Sequence, residues 1–370
     1  MKISFIEPHL QLFGGIRRII GLANRLIQRG HEVTVFHSDG SPCEWMKCEA
    51  RIKSHQEVLK EMHEVIIYND PNPTDYSLVR KAKARLKVFY VLELYTISLL
   101  RGFKPQLYFP RYRRTFFVKE SLRSPYLKLA NSTWLVRWLK EEMNIESLLL
   151  IGGLNTEVFH PVEMKETKNE IRILSSGDPR KRKGTQTVQE AVRLAKLREP
   201  QIILDTYYGK GIPQEKMAEK YSSALIFADG QIQAGWNNPV AEAMACKTPV
   251  VCTDIGGVED IAINEKTALL VPPRNPKAMA SSILRLIQDK NLRENLREKA
   301  YQHILQFDWE KTAEKLEKIL ISELTRPKLS NQSPKSKTLN LILDVLHGIL
   351  NIGYGMTSPI RKLFKRREHT

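Results

Sequence analysis

Strand-like runs alternate with helix-like runs along most of this 370-residue chain, and the alternation limits the folds that it can form. A first series opens with "KISFIE", continues with a helical pattern over 15–29, and returns to a strand at "EVTVFHS". A second series opens with "EIRILSSG" and continues through "IILDTYYG", "ALIFAD" and "PVVCTD". Because alternating β and α units form parallel sheets with helices on both faces, the sequence predicts an α/β fold with two Rossmann-like, doubly wound domains.

The break between the two series falls in "NTEVFHPVEMKETKNE", a polar, charged run with a proline that is typical of a linker. We therefore predict a first domain over 1–160 and a second over 161–325, which ends in a closing helix. The Pro- and Ser-containing run at 326–338 predicts a flexible linker. Residues 339–370 combine an apolar helical stripe with a basic end, which predicts an amphipathic helical tail.

The formal net charge of +17 indicates a polyanionic partner: nucleic acid, an anionic membrane face, or a phosphorylated substrate. The four cysteines form no C-x-x-C pair, which is typical of a reducing compartment. The strand-like start "MKISFIEP" is too short for a signal peptide, and no run of 18 apolar residues predicts a spanning helix. We expect a cytoplasmic protein.

Ligands of parallel sheets bind at the carboxyl ends of the strands, where two loops of this chain suit phosphate. In "EPHLQLFGGIRR", Gly14 and Gly15 open a helix and would let backbone N–H groups approach a phosphate, although a plain tight turn explains them equally well. In "SSGDPRKRKG", four cations from Arg180 to Lys183 stand between a strand and a helix. They predict a diphosphate cradle, against the alternative of a solvated charge run.

A third loop contains one carboxylate in apolar surroundings, within "GWNNPVAEAMACKTPVVCTDIGG". We expect a helix to start near Asn238, with Pro239 at its first position, so that Glu242 lies in the first or second turn. The carboxylate is either a charge that stabilises the helix end or a ligand for ribose hydroxyls beside the diphosphate cradle.

Several other kinds of site are not indicated. The chain has no G-x-G-x-x-G fingerprint, no Walker A sequence and no cluster with metal-ligand spacing. His31, in "RGHEV", is interpreted as a turn or surface residue rather than a catalyst.

These motifs resemble the retaining glycosyltransferases of family four (glycosyl transferases group 1), over residues 1–325. The most specific part is "GWNNPVAEAMACKTPVVCTDIGGVEDI" with "ALLVPP", supported by "GGIRRIIGLANRLIQRGHEVTVF", "ANSTWLVRWL" and "NTEVFHP". The resemblance implies the GT-B fold, in which two Rossmann-like domains face across a cleft. It also implies a nucleotide-diphosphate sugar held by the second domain, an acceptor held by the first, and no metal or other cofactor.

The resemblance also assigns roles to individual residues. Lys183 matches the family's phosphate-binding lysine, Glu242 its ribose-binding glutamate, and Gly15 its loop glycine near the donor phosphates. We predict Lys183, Arg180 and Glu93 as catalytic residues. The predicted donor-binding residues are Gly14, Gly15, Gly177, Arg180, Lys183, Gly235, Asn237, Asn238, Val240 and Glu242.

Three positions depart from the family pattern. Ala234 replaces the first of two glutamates, which normally holds donor-sugar hydroxyls. Asp178 replaces an arginine after the glycine of the phosphate loop, so Arg180 or Arg182 is expected to substitute for it. Glu93 replaces a histidine, and it would hydrogen-bond sugar hydroxyls or pair with the basic segment that follows.

That segment, "RGFKPQLYFPRYRRTFFVKESLRSPYLK", interleaves aromatic and basic residues. Nucleic acid or an anionic membrane would bind such a surface, and an ordinary acceptor-domain surface also explains it. The amphipathic tail favours peripheral attachment to the inner face of the cell membrane, and nucleic acid is disfavoured because no binding module is recognisable.

The sequence as a whole predicts a glycosyltransferase that moves a hexose from a nucleotide-diphosphate sugar to a glycan or lipid-linked acceptor. The alternative is a catalytically weak GT-B protein that binds sugar nucleotide or glycan without turnover, which the loss of the carboxylate at Ala234 motivates.

Overall fold

The computed structural model describes residues 1–92, 109–164 and 170–326. The candidate Glu93, nearly all of the predicted linker and the whole tail over 339–370 lie outside these ranges.

The first domain contains a seven-stranded parallel sheet in the order β3-β2-β1-β4-β5-β6-β7. Every strand run quoted from the first series is present, but β3 was missed because its four residues are largely polar. The strands are β1 Lys2–Ile6, β2 Glu32–His37, β3 Arg51–Ser54, β4 Met62–Tyr68, β5 Lys83–Val91, β6 Leu127–Ala130 and β7 Leu148–Leu149.

The second domain contains a five-stranded parallel sheet in the order β12-β11-β10-β8-β9. Four of the five strands match the predicted runs of the second series, and the fifth lies within "ALLVPP". Both sheets are parallel, so the prediction of two doubly wound α/β domains is confirmed. The strands are β8 Ile171–Ser175, β9 Ile202–Thr206, β10 Ile226–Asp229, β11 Val250–Thr253 and β12 Leu269–Val271.

Helices cover both sheets, and three of them begin at an asparagine followed within two residues by proline. The side chains of Asn72, Asn237 and Asn275 each accept a hydrogen bond from a backbone N–H in the first turn. The helices of the described residues are α1 Gly14–Gln28, α2 Pro73–Lys81, α3 Phe109–Arg123, α4 Thr133–Met143, α5 Thr185–Lys196, α6 Met217–Ser222, α7 Asn238–Ala245, α8 Pro276–Gln288, α9 Lys290–Ile304 and α10 Trp309–Thr325.

The closing helix α10 follows the second domain in the chain but packs on the first. Ala313, Leu316 and Leu320 are buried in the same apolar cluster as the inner face of α1. Glu317 accepts hydrogen bonds from Arg29 and lies 2.7 Å from His31 Nε2. His31 thus contacts α10 from the turn that precedes β2, in keeping with its interpretation as a turn residue.

Within the described ranges, none of the helices has the length and apolar character needed to cross a bilayer.

Candidate active site

The two sheets meet at a cleft of about 800 Å³. In each sheet the strand order reverses next to the first strand, between β1 and β4 in one and between β8 and β10 in the other. Loops that follow these strands line the cleft with Glu7 and Asn69 on one side and Lys183 and Gln231 on the other. Such reversal points are where open α/β sheets bind ligands.

The loop after β8 brings its cations to the cleft through an internal salt bridge. Asp178 is buried, and its carboxylate accepts hydrogen bonds from the backbone N–H and the Nε of Arg180, both at 3.0 Å. Burial alone would raise the pKa of Asp178, but the hydrogen bonds and charge of Arg180 outweigh it and lower the pKa. The aspartate that departs from the family pattern therefore holds Arg180, which lines the cleft with Arg182.

Lys183 lies deeper in the same loop, at the point where the loop touches the end of β10. Gly184 has φ +61°, and a Cβ there would lie 1.7 Å from the Gly230 carbonyl oxygen, so only glycine allows this approach. Lys183 Nζ donates to Gln231 Oε1 at 2.6 Å. Burial lowers the pKa of Lys183, while the nearby charge of Asp229 opposes the shift.

The loop after β1 faces this cationic wall. Gly14 and Gly15 begin α1 and line the cleft, and a Cβ on Gly14 would lie 2.9 Å from the Asn238 side chain of the other domain. Arg18, one turn further, donates to Asn238 Oδ1 at 3.3 Å. The N-terminus of α1 therefore lies against the N-terminus of α7, and Gly14 and Asn238 at these two helix starts line the cleft.

The loop before α7 also contacts the first domain closely. A Cβ on Gly235 would lie 2.1 Å from the Leu92 carbonyl oxygen, which already accepts a hydrogen bond from Asn131 Nδ2 at 2.6 Å. Gly235 and its neighbour Ala234 both line the cleft. The missing family carboxylate thus corresponds to a position on the cleft wall.

Glu242 is in the predicted helix, but its carboxylate does not line the main cleft. It lines a small adjoining hollow that shares Gly14, Arg18 and Asn238 with the cleft. Its Oε1 is paired with Arg17 of the first domain, and its Oε2 accepts a hydrogen bond from Tyr221 Oη at 2.9 Å. In this structure an arginine and a tyrosine occupy the oxygens that were predicted to hold ribose.

The remaining predicted donor residues have structural contacts. Asn237 caps α7 and donates to Asp229 Oδ2 at 2.9 Å, so Pro239 is the second helical residue rather than the first. Val240 is fully buried in the core, and Gly177 has φ +72° and packs against Thr206. Asn237, Val240 and Gly177 do not appear on the wall of the main cleft, whereas Gly14, Gly15, Arg180, Lys183, Gly235 and Asn238 do.

Sequence reasoning missed the side chains that contact these residues. Arg17 and Tyr221 hold Glu242, and Asp229 is a buried acid with a raised pKa, caused first by burial, beside Lys183. Asp229 ends a predicted strand, and a polar residue at that position is a signal that could have identified it.

Comparison with known proteins gives a family match within the second domain. Residues 205–303 match the family model of Glycosyl transferases group 1. A D-inositol 3-phosphate glycosyltransferase from Corynebacterium urealyticum is 33% identical over 31% of this chain and 27% of its own length. An O-antigen chain mannosyltransferase B from Escherichia coli is 28% identical over 27% of this chain and 26% of its own length. The matched segments therefore span about a quarter of these curated relatives.

Solved structures match over a much larger part of the chain. A sucrose-phosphate synthase from Thermosynechococcus elongatus covers 86% of this chain and 98% of its own, with a TM-score of 0.68 and 17% identity. The Alr3699/HepE protein of Anabaena, solved in complex with UDP and glucose, covers 87% and 100%, with a TM-score of 0.67 and 15% identity. At this identity the likeness concerns the fold.

The sequence and fold matches bear on different parts of the prediction. They confirm the resemblance to group 1 glycosyltransferases and to the GT-B fold, while membership of family four, retention of configuration and metal independence stay predictions. Residues 205–303 thus match the Glycosyl transferases group 1 family model, within a two-domain chain whose fold is that of the GT-B glycosyltransferases.

Proposed function

We propose that this protein transfers a hexose from a nucleotide-diphosphate sugar to a hydroxyl group of a glycan or lipid-linked acceptor. The observation that carries the proposal is the position of Lys183 and Arg180 on one wall of the inter-domain cleft, opposite the helix N-terminus at Gly14 and Gly15. A departing diphosphate develops negative charge, and cations and backbone N–H groups fixed beforehand stabilise that charge in the transition state. The protein solved with UDP and glucose, which shares the fold, supports a nucleotide-sugar donor.

Within this proposal each residue binds a different part of the donor. Lys183 and Arg180 hold the two phosphates, with Asp178 fixing the direction of Arg180 through the hydrogen bonds that it accepts from the Arg180 backbone N–H and guanidinium. Glu242 holds the ribose hydroxyls once Arg17 has moved away from it. Transfer with retention of configuration and without a metal ion is the finer form of the proposal, and it rests on the sequence resemblance.

The test is a panel of uridine, guanosine and thymidine diphosphate sugars, scored by nucleoside diphosphate release with glycan and lipid-linked acceptors. Lys183→Ala should weaken nucleoside diphosphate binding by about 10- to 150-fold, because hydrogen bonds to charged groups contribute about 1.5–3 kcal/mol. Binding of the nucleoside alone should change little. Lys181→Ala is the matched control, because Lys181 is exposed in the same basic run and is absent from the cleft wall.

A second candidate function is binding of sugar nucleotide or glycan without transfer. Ala234 favours it, because a buried alanine on the cleft wall replaces the carboxylate that normally holds the donor sugar. Tight nucleotide binding with no release from any donor in the panel would favour this candidate over transfer.

A further inference from the structure

The loop that contains Lys183 is joined to the loop that follows β10. The Ile232 backbone N–H donates to the Arg182 carbonyl at 2.9 Å. Beside this bond two glycines bring the loops into contact: a Cβ on Gly184 would lie 1.7 Å from the Gly230 carbonyl oxygen, and a Cβ on Gly230 would lie 2.4 Å from the Gly184 carbonyl oxygen. These contacts fix the position of Lys183 relative to the residues that follow β10.

Gln231 is the direct partner of Lys183, and each of its polar groups has a hydrogen-bond partner. Its Oε1 accepts from Lys183 Nζ at 2.6 Å, and its Nε2 donates to the Gln233 carbonyl at 2.9 Å. Its backbone carbonyl accepts from Thr253 Oγ1, and its backbone N–H donates to Asp229 Oδ1 at 2.7 Å. Both Gln231 and Lys183 line the cleft. The amide is therefore held in one orientation, and its oxygen fixes the Lys183 ammonium group at the cleft wall.

Asp229 lies behind this amide, at the end of β10. Its side chain is buried, and its two oxygens accept hydrogen bonds from different N–H groups. The Gln231 backbone N–H donates to Oδ1, and Asn237 Nδ2 donates to Oδ2 at 2.9 Å. These contacts suit the ionised carboxylate, because a protonated carboxyl group would point its own O–H at a donor. Asp229 is thus a buried negative charge that is linked to Lys183 through Gln231.

The charge of Asp229 matters because Lys183 is half-buried. Burial is the largest cause that lowers the pKa of Lys183, and the charge of Asp229 is the largest one that opposes it. The effect is mutual, since the charge of Lys183 is the first of the causes that oppose the raised pKa of Asp229. The other ionisable groups near Lys183 or on the opposite wall of the cleft are Arg180, Arg182, Asp178, Glu7, His9 and Asp70.

We infer that Asp229 is a positioning residue for Lys183: its carboxylate orients Gln231 and keeps the ammonium group charged, while Gln231 directs that group at the donor diphosphate. The inference rests on the proposed function and assigns two further residues to its donor site. A carboxylate in direct contact with Lys183 would offset the charge that a phosphate needs, whereas a neutral amide leaves that charge available. Asn237, which was predicted to bind the donor, acts in this arrangement by holding the Asp229 carboxylate.

The first test measures the ionisation of Lys183 in the ligand-free, full-length protein. Lysine is labelled with carbon-13 at Cε, and the NMR signal of Lys183 is identified by its loss in Lys183→Arg. Asp229→Asn should lower the pKa of Lys183, because it removes a nearby negative charge, and Gln231→Glu should raise it. Asp254→Asn is the matched control and should leave it unchanged, since Asp254 is exposed directly after the neighbouring strand β11 and lies outside the lining of the cleft.

The second test measures the affinity for inorganic pyrophosphate by calorimetry as a function of pH. Comparison of variants at one pH cancels the ionisation of the probe itself. Near neutral pH, Asp229→Asn should stay within about 3-fold of the native protein, but in alkali it should bind about 10-fold more weakly, because the neutral amine no longer makes a charge-assisted hydrogen bond. Gln231→Glu should bind about 10-fold more weakly throughout, because its carboxylate offsets the charge of Lys183.

The native protein supplies a measurement that does not depend on the folding of Asp229→Asn. Because the two charges are coupled, the Lys183 signal should also shift where Asp229 takes up a proton. This shift should lie above the ordinary aspartate range, since the pKa of Asp229 is raised, whereas the pKa of Asp178 is lowered. Melting temperatures show which variants are folded.

Three results would overturn the inference. The first is an unchanged pKa of Lys183 in folded Asp229→Asn, or no acid shift of its signal in the native protein. The second is an equal loss of pyrophosphate affinity by Asp229→Asn at every pH, which would leave Asp229 a structural role. The third is native affinity in Gln231→Glu. Failure of the native protein to bind pyrophosphate would instead defeat the phosphate-binding part of the proposed function, while the ligand-free titration would still decide the role of Asp229.

Discussion

The contact between Arg17 and Glu242 gives the sharpest prediction about the donor site. Arg17 is on α1 of the first domain and Glu242 on α7 of the second, and their side chains are 20% and 6% exposed. If Glu242 binds ribose, Arg17 must first release it. We therefore expect Arg17→Leu to tighten nucleoside diphosphate binding, although it removes a cation from the neighbourhood of an anionic ligand.

The magnitude follows from the burial of the pair. Removing one partner of a buried ion pair costs about 3–5 kcal/mol when the remaining charge stays dry. Here the pair lies between two domains, and separation of the domains lets water reach Glu242, so the smaller value of about 1.5–3 kcal/mol for a hydrogen bond to a charged group is appropriate. Since the native protein must spend this free energy before ribose binds, Arg17→Leu should lower the dissociation constant by about 10- to 150-fold.

Calorimetric titration with UDP, GDP and TDP measures the effect, and the chain offers a matched control. Arg137 and Glu259 form another arginine–glutamate bridge between the domains, with N–O distances of 2.8 and 2.7 Å. Arg137→Leu should change nucleotide affinity by less than about 2-fold, because the pair is largely exposed and exposed pairs contribute about 0–1 kcal/mol. Equal tightening in both variants would indicate general loosening of the domain interface.

Two results would refute the reasoning. Weaker binding by Arg17→Leu would mean that Arg17 itself contacts the diphosphate. Unchanged affinity in both Arg17→Leu and Glu242→Gln, together with a lower melting temperature, would leave Glu242 with a purely structural role.

Further predictions concern the phosphate loop, the position of the missing carboxylate at Ala234, and the tail. The pKa of Lys183 is lowered in the free protein, so Lys183 should lose its proton at a pH below the ordinary lysine value of 10.5, and nucleoside diphosphate affinity should fall there. In a titration series across pH, Lys183→Arg should abolish this alkaline loss of affinity. Asp178→Asn should lower nucleoside diphosphate affinity by up to about 10-fold in calorimetry, because Arg180 loses the charge that holds it in the cleft, and unchanged affinity would argue against that positioning role. Ala234→Glu should shift the relative kcat/KM of two nucleotide sugars by about 10-fold or more while nucleoside diphosphate affinity changes little, and a uniform loss across donors would contradict this. Truncation after Lys328 should abolish salt-sensitive sedimentation with anionic vesicles and leave nucleotide binding intact, whereas equal sedimentation of both chains would exclude the tail as the anchor.

Local sequence signals were sufficient to predict most of the strands quoted above and the start of a helix. The β-branched run "PVVCT" predicted β11, and "NNPVAEAM" predicted the start of α7 near Asn238, because asparagine and proline at a helix start act within one turn. The short strand β3 lacked such a signal: Arg51, Lys53 and Ser54 are polar, and the strand exists because its backbone pairs with β2 at the sheet edge.

The donor loops were predictable for the same reason, since each follows a strand directly. The sequence placed Arg180 and Lys183 at the carboxyl end of β8, and they line the cleft. It did not predict that Asp178, two residues earlier, would bind Arg180, because its replacement of a family arginine suggested a lost cation rather than a group that orients another cation.

Contacts between the domains were beyond the reach of such reasoning. Arg17 and Glu242 are 225 residues apart in sequence, and nothing within one turn of either residue indicates the other. Glu7 illustrates the same limit, because "KISFIE" ends in a glutamate that looks like the exposed end of a strand, and only the packing of β2, β4 and α2 around it makes it buried. Both carboxylates therefore acquire their chemistry from neighbours that the fold supplies. Glu242 has its oxygens occupied by an arginine and a tyrosine, whereas one oxygen of Glu7 has no partner among the described residues, so a ligand that binds Glu242 must displace a protein contact. Donor binding should for that reason respond to changes in the domain contact at Arg17.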